Sequence, residues 1–91
     1  MYGKQLNNLD SAISNLNRAI IFDSANLECL SAIGVAYAMK GNFRKSAYYL
    51  EKGYKINPND ENIFNNLIAT LANLGEKERV QKLIGERPVK H

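Results

Sequence analysis

The feature that most constrains this chain is a repeat with a period of 34 residues. When the sequence is shifted by that length, large apolar residues fall on large apolar residues, and a glycine falls on a glycine. The matching pairs are Leu30 and Phe64, Ile33 and Leu67, Tyr37 and Leu71, Gly41 and Gly75, Leu50 and Ile84, Leu9 and Phe43, Leu16 and Leu50, Ala19 and Gly53, and Phe22 and Ile56. Such a period is typical of an array in which neighbouring units bury a shared core.

Within each unit the apolar residues recur at intervals of three and four, which predicts amphipathic helices. No run alternates with a period of two, so no strand is expected. The predicted helices cover residues 9–22, 27–40, 43–56, 60–74 and 76–84, with residues 1–6 as the last turn of an earlier helix and 86–91 as a tail. Very short connections make neighbouring helices antiparallel.

Asparagine and serine residues mark the expected starts of these helices, because their side chains accept hydrogen bonds from free backbone N–H groups. We expect a turn and N-cap at Asn7–Asn8, a cap at Ser24 or Asn26, and further caps at Asn42 and Asn59. Gly41 is expected to end the second helix in the left-handed conformation.

The unit over residues 27–60 resembles the tetratricopeptide repeat. The positions that carry the resemblance are Leu30, Ile33, Gly34, Tyr37, Leu50 and Pro58. Leu30 replaces the usual Trp, Leu50 the usual aromatic residue, and Ser46 the usual Ala. The third unit departs further, with Ile68 at the glycine position and Val80 at the alanine position.

The resemblance implies one all-α domain over residues 1–91, an α-solenoid of antiparallel helix pairs in a right-handed superhelix with about five helices. Residues 1–26 would be a partial repeat, 27–60 a full repeat, and 61–91 a partial or degenerate repeat with a tail. The first helix of each pair would line the concave face and the second the convex face. The expected core is Ile33, Gly34, Tyr37, Ala47, Leu50 and Leu67.

Two glycines lie inside predicted helices, where each costs about 1 kcal/mol relative to alanine. We interpret Gly34 and Gly53 as positions of close approach between helices.

The sequence argues against an enzyme, a metal site or a bound cofactor. Its one histidine is the terminal His91, and Cys29 has no histidine near it in sequence to activate it. A glycine-rich phosphate loop would need a preceding strand. A single cysteine suits a reducing compartment, so we expect a cytoplasmic location.

We predict that the concave face binds a protein or peptide partner. Val35 and Met39 could hold an apolar side chain, and asparagine amides could pair with an extended backbone. The candidate residues are Ser31, Val35, Ala38, Met39, Asn62, Asn65, Asn66, Ala69 and Asn73. Asparagine occurs 12 times in the chain, so its frequency here could equally reflect composition.

The best-known binding mode of the family, a clamp for a C-terminal carboxylate, uses Lys, Arg and Asn on the concave helices. This chain has Ser31, Val35, Asn65 and Ala69 at those positions, which are not cations. We therefore predict no such clamp.

Basic and aromatic residues gather on or beside the third helix, and we interpret them as an exposed convex face. They are Lys40, Arg44, Lys45, Tyr48, Tyr49, Lys52 and Lys55. Such a mixture can bind nucleic acid, but interleaved Glu51 and the helix C-terminal position of Lys55 favour a solvated surface. The sequence contains no run of 18 apolar residues, so no segment is predicted to insert into a membrane.

An alternative function is structural, because repeat arrays need covered ends. The first predicted helix would lack most of its partner, which would leave some of Leu9, Ile13, Leu16 and Ile20 uncovered. Self-association through this face would give a homo-oligomer, unless Met1 to Leu6 folds back over it. At the other end, Val80, Leu83 and Ile84 lack a further capping helix.

Overall fold

The computed structural model describes residues 2–86, and the side chains of residues 8–86. This part of the chain forms five helices and no strand, so the predicted all-α class is confirmed. The helices are α1 (Tyr2–Phe22), α2 (Leu27–Met39), α3 (Phe43–Ile56), α4 (Glu61–Asn73) and α5 (Lys77–Glu86). Each helix contacts the next, and α2 also contacts α4, as expected for a stack of helix pairs.

Side-chain caps begin three of the helices. Asn26 accepts a hydrogen bond from the backbone N of Cys29 at 3.0 Å, and Asn42 accepts one from that of Lys45 at 3.2 Å. Both predicted caps are confirmed, with Asn26 rather than Ser24 at the second helix. Gly41 has a φ of 84°, the left-handed value predicted for the end of α2.

The predicted cap at Asn59 is wrong, because Asp60 caps α4. The Asp60 carboxylate accepts a hydrogen bond from the backbone N of Ile63 at 3.0 Å. The backbone N of Asn59 instead donates to the side chain of Asn57 at 3.0 Å, which holds Asn59 in the preceding turn.

The predicted turn at Asn7–Asn8 is also wrong, because α1 runs without interruption from Tyr2 to Phe22. Two asparagines inside a helix cost only a few tenths of a kcal/mol each, whereas a second helix would need its own unfavourable nucleation. Residues 2–6 therefore extend α1 and do not fold back over it.

Helix α5 begins one residue later than predicted and continues through Gly85 to Glu86. Glu86 is thus helical rather than part of a tail. The remainder of the predicted tail, residues 87–91, lies outside the described residues.

The core has two apolar clusters. In one, Ala47 and Leu50 of α3 pack against Ile63, Leu67 and Leu71 of α4. In the other, α1 packs against α2 through Ile13, Ile33 and Ala36. Of the predicted core, Ile33, Gly34, Ala47, Leu50 and Leu67 are buried, and Tyr37 is half-buried.

The face of α1 that was predicted to be uncovered is largely in contact with α2. Ile13 is buried, and the half-buried Leu9, Leu16 and Ile20 pack against its cluster. Ile13 is therefore not one of the residues that this face leaves uncovered. The exposed apolar residues of α1 lie at its end, where Ile21 and Phe22 are 80% and 92% exposed.

The third repeat is more loosely packed than the second. Leu50 is fully buried, but the equivalent Ile84 on α5 is 51% exposed. Leu50 packs over Gly34, and the residue equivalent to Gly34 is the larger Ile68. A side chain at that position leaves less room for the second helix of the pair.

Candidate functional site

A pocket opens between α2 and α4, with α3 as its floor. Its volume is about 230 Å³. The lining residues are Val35, Ala38 and Met39 of α2, Phe43, Ser46 and Leu50 of α3, and Asn66, Ala69, Thr70 and Asn73 of α4. We call this the apolar pocket, because carbon atoms of Val35, Met39 and Phe43 make up much of its wall.

Two amides stand among these apolar side chains. The Asn73 side-chain nitrogen donates to the backbone oxygen of Ala69 at 2.9 Å, which fixes the amide along α4. Asn66 is half-buried on the same wall. Each amide carries both donors and an acceptor, so the wall can pair with peptide groups of either polarity.

The floor of the apolar pocket is held by a hydrogen bond between two hydroxyl groups. The Oγ of Ser46 and the Oγ1 of Thr70 lie 3.1 Å apart, and both residues are buried. This pair satisfies two polar groups that would each cost about 1–3 kcal/mol if buried alone.

A second pocket lies at the other end of the same groove, where α2 and α4 begin. Its volume is about 250 Å³, and its lining residues are Leu27, Glu28, Ser31, Ala32, Asp60 and Asn62. We call it the acidic pocket, because two of these residues carry carboxylates and none is a cation.

The structure brings eight of the nine predicted binding residues to these two pockets. Six line the apolar pocket, namely Val35, Ala38, Met39, Asn66, Ala69 and Asn73, and two line the acidic pocket, namely Ser31 and Asn62. Asn65 is exposed on α4 and lines neither pocket.

The contribution of α3 to the apolar pocket was not predicted, because the second helix of each pair was expected to line the convex face. Phe43 begins α3 immediately after the turn from α2, and its ring reaches the apolar pocket. Its apolar partner in the period, Leu9, was a signal that this position faces inward.

The basic and aromatic residues of α3 form a separate surface together with Tyr37 of α2. The Tyr37 and Tyr49 rings are stacked with centroids 5.8 Å apart, and the Lys45 ammonium lies 5.4 Å from the Tyr37 centroid. The Lys52 ammonium lies 4.7 Å from the centroid of Tyr48. These lysines lie over the rings of their own chain, an arrangement that stabilises both groups.

Tyr49 is a half-buried member of this surface. Burial raises the pKa of its hydroxyl above the ordinary value of 10.0, and the neighbouring Tyr37 and Tyr48 raise it further. Its hydroxyl also donates to the side-chain oxygen of Asn17 on α1 at 3.4 Å.

No group of three or more His, Cys, Asp or Glu side chains with the geometry of a metal site occurs among the described residues. Cys29 is half-buried with a free thiol, and His91 lies outside the described range. No helix in the described part of the chain is long and apolar enough to cross a membrane.

A comparison with known protein families supports the repeat that the 34-residue period predicts. A family model described as tetratricopeptide repeat matches residues 27–60, which span α2, α3 and the turn before α4. A comparison with curated proteins finds no match. Tetratricopeptide repeats generally act as non-enzymatic modules of protein–protein interaction. Residues 27–60 therefore match the tetratricopeptide repeat family, and this match supports assignment of the repeat to that family.

Proposed function

We propose that this chain is a non-catalytic interaction module that binds a segment of a partner protein in the groove between α2 and α4. The observation that carries the proposal is the apolar pocket, which is open to solvent and large enough for one apolar side chain. Met39 on its rim is 68% exposed, so a partner would bury apolar surface that the free chain leaves in water.

The amides of the groove would hold the backbone of that segment. Asn66 and Asn73 lie in the apolar pocket and Asn62 in the acidic pocket, so hydrogen-bonding groups follow α4 along the groove. An intracellular location is part of the proposal, because Cys29 is a free thiol.

A selection from a random peptide library tests this proposal. Peptides that bind the wild-type chain are expected to bind the Met39→Glu variant at least about tenfold more weakly, because the new carboxylate lies at the mouth of an apolar pocket. Ile84→Glu is the matched control, since Ile84 is also exposed but lies on α5 outside the groove. Equal loss with both variants, or loss with neither, would reject the groove as the binding surface.

A second candidate function is self-assembly. The exposed Ile21 and Phe22 adjoin Ile20, which is only half-buried, at the end of α1. Leu16 is also only half-buried, whereas its equivalent Leu50 is enclosed by α2 and α4. In a dimer, a second copy of the chain would cover this end of α1 with the same residues of its own α1.

A further inference from the structure

We infer that the segment bound in the groove carries an apolar side chain and, about three or four residues away, a lysine or arginine. This inference rests on the groove function proposed above and names the chemistry of the partner. It follows from how charge is arranged along the groove and from the distance between the two pockets.

The groove helices contain no cation. Residues 27–39 and 61–73 include neither lysine nor arginine. Their acidic residues all lie at one end, with Glu28 in the first turn of α2, Asp60 as the cap of α4, and Glu61 in the first turn of α4.

These acids exceed what the helix ends require. Each helix N-terminus carries about half a positive charge, so two such ends together offset about one of the two carboxylate charges, those of Glu28 and Asp60, that line the acidic pocket. Within the described residues, Glu28 forms no ion pair. Asp60 accepts one backbone hydrogen bond, and its carboxylate has room for more.

The basic residues lie outside these two helices, and Lys40, the C-cap of α2, pairs with Asp10 of α1. Arg44, Lys45, Lys52 and Lys55 are all on α3, and its only acid, Glu51, pairs with Arg79 of α5. The groove therefore attracts a cation at its acidic end, while an acidic segment would meet like charge there.

The spacing of the two pockets sets the spacing of the two recognised side chains. On average, the residues lining the apolar pocket lie about eight positions further along α2, and about eight to nine further along α4, than those lining the acidic pocket. At 1.5 Å per residue this is about 12–13 Å along the helices. An extended chain rises about 3.3 Å per residue, so about three or four residues span that distance.

The experiment is to sequence the peptides selected on the wild-type chain and to repeat the selection on two matched variants. Glu28→Lys reverses a charge in the acidic pocket, and Glu78→Lys reverses one in the first turn of α5, away from that pocket. Both variants lose a favourable charge at a helix N-terminus, so they control for each other's effect on stability.

The wild-type pool is expected to be enriched at least about threefold in Lys or Arg at three or four residues from an apolar residue, a size consistent with one exposed ion pair. The enrichment should persist with Glu78→Lys and disappear with Glu28→Lys. A Met39-dependent pool without this pattern, or with acidic residues in its place, would overturn the inference and leave the groove function standing. A failure to recover any Met39-dependent peptide would overturn both.

Discussion

Gly34 on α2 and Leu50 on α3 lie so close together that the space at position 34 does not hold a side chain. A Cβ atom on Gly34 would lie 2.6 Å from Cγ of Leu50 and 2.7 Å from its Cδ2. Leu50 is fully buried and its Cγ is a branch point, so the side chain has little freedom to move aside.

Replacing Gly34 should therefore destabilise the fold. We expect Gly34→Leu to lower the free energy of unfolding by about 1–3 kcal/mol through overpacking. Gly34→Ala should also lower it, but by less, because helix propensity returns up to about 1 kcal/mol. Urea denaturation measures both, and Gly34→Leu unfolding at the wild-type midpoint would contradict the close contact.

Gly85 provides the matched control for this prediction. It is also helical, but a Cβ atom there would meet nothing within 4 Å. Gly85→Ala should leave stability unchanged or raise it by up to about 1 kcal/mol.

The contact between Gly53 and Ile63 predicts a coupling between two substitutions. A Cβ atom on Gly53 would lie 2.6 Å from Cδ1 of Ile63, and its next contacts with that side chain are at 3.4 and 3.5 Å. Ile63→Val removes Cδ1 and should cost about 0.5–1.5 kcal/mol by itself.

Gly53→Ala should cost at least about 0.5 kcal/mol less in the Ile63→Val background than in the wild type. A double-mutant cycle from urea denaturation measures this difference. Additive effects would mean that Cδ1 is not the atom that excludes a side chain at position 53.

The raised pKa of Tyr49 predicts that stability falls at alkaline pH. In the unfolded chain Tyr49 loses its proton near its ordinary pKa of 10.0, while in the folded chain it keeps the proton to higher pH. The unfolded state then binds fewer protons, so the free energy of unfolding decreases as pH rises from about 10 through the folded pKa.

Tyr49→Phe should show a shallower decrease over the same pH range, because phenylalanine does not titrate. Thermal or urea unfolding of both proteins above and below about pH 10 measures the two slopes. Parallel curves would show that burial of this hydroxyl does not contribute to the pH dependence.

Self-assembly through the end of α1 predicts a particle larger than the 10.2 kDa chain in sedimentation at micromolar concentration. Phe22→Glu should reduce that mass without unfolding the protein, because Phe22 is 92% exposed. Met39→Glu is the control, because Met39 is also an exposed apolar residue but lies at the last position of α2 and not on α1. A wild-type mass equal to that of one chain would reject self-assembly.

The periodic pattern was sufficient to predict the helix pairs and the contact sites at Gly34 and Gly53, and residue types predicted the cap at Asn42 and one at either Ser24 or Asn26. Those features depend on residues close in sequence or on the repeat itself. The cap at Asp60 could not be separated from one at Asn59, because both residue types cap helices and only the bond from Asn59 to Asn57 decides between them.

Other features depend on tertiary packing. Asn7–Asn8 was predicted as a turn because asparagine favours turns, but both residues lie inside the continuous helix α1. The sequence predicted most of the groove from α2 and α4, but the ring of Phe43 enters the apolar pocket from α3. Glu28 and Asp60 share a pocket because α2 and α4 lie side by side. The spacing of the acidic residues in the sequence does not by itself show that these two side chains meet.

The most direct test of the groove as the binding surface is an NMR titration of the isotope-labelled chain with a peptide selected from the random library. The largest changes in backbone amide shifts are expected at Val35, Met39, Asn66, Ala69 and Asn73, which line the apolar pocket. Changes concentrated instead at Arg44, Lys45, Tyr48 and Lys52 would place the binding surface on α3 and contradict the proposed function.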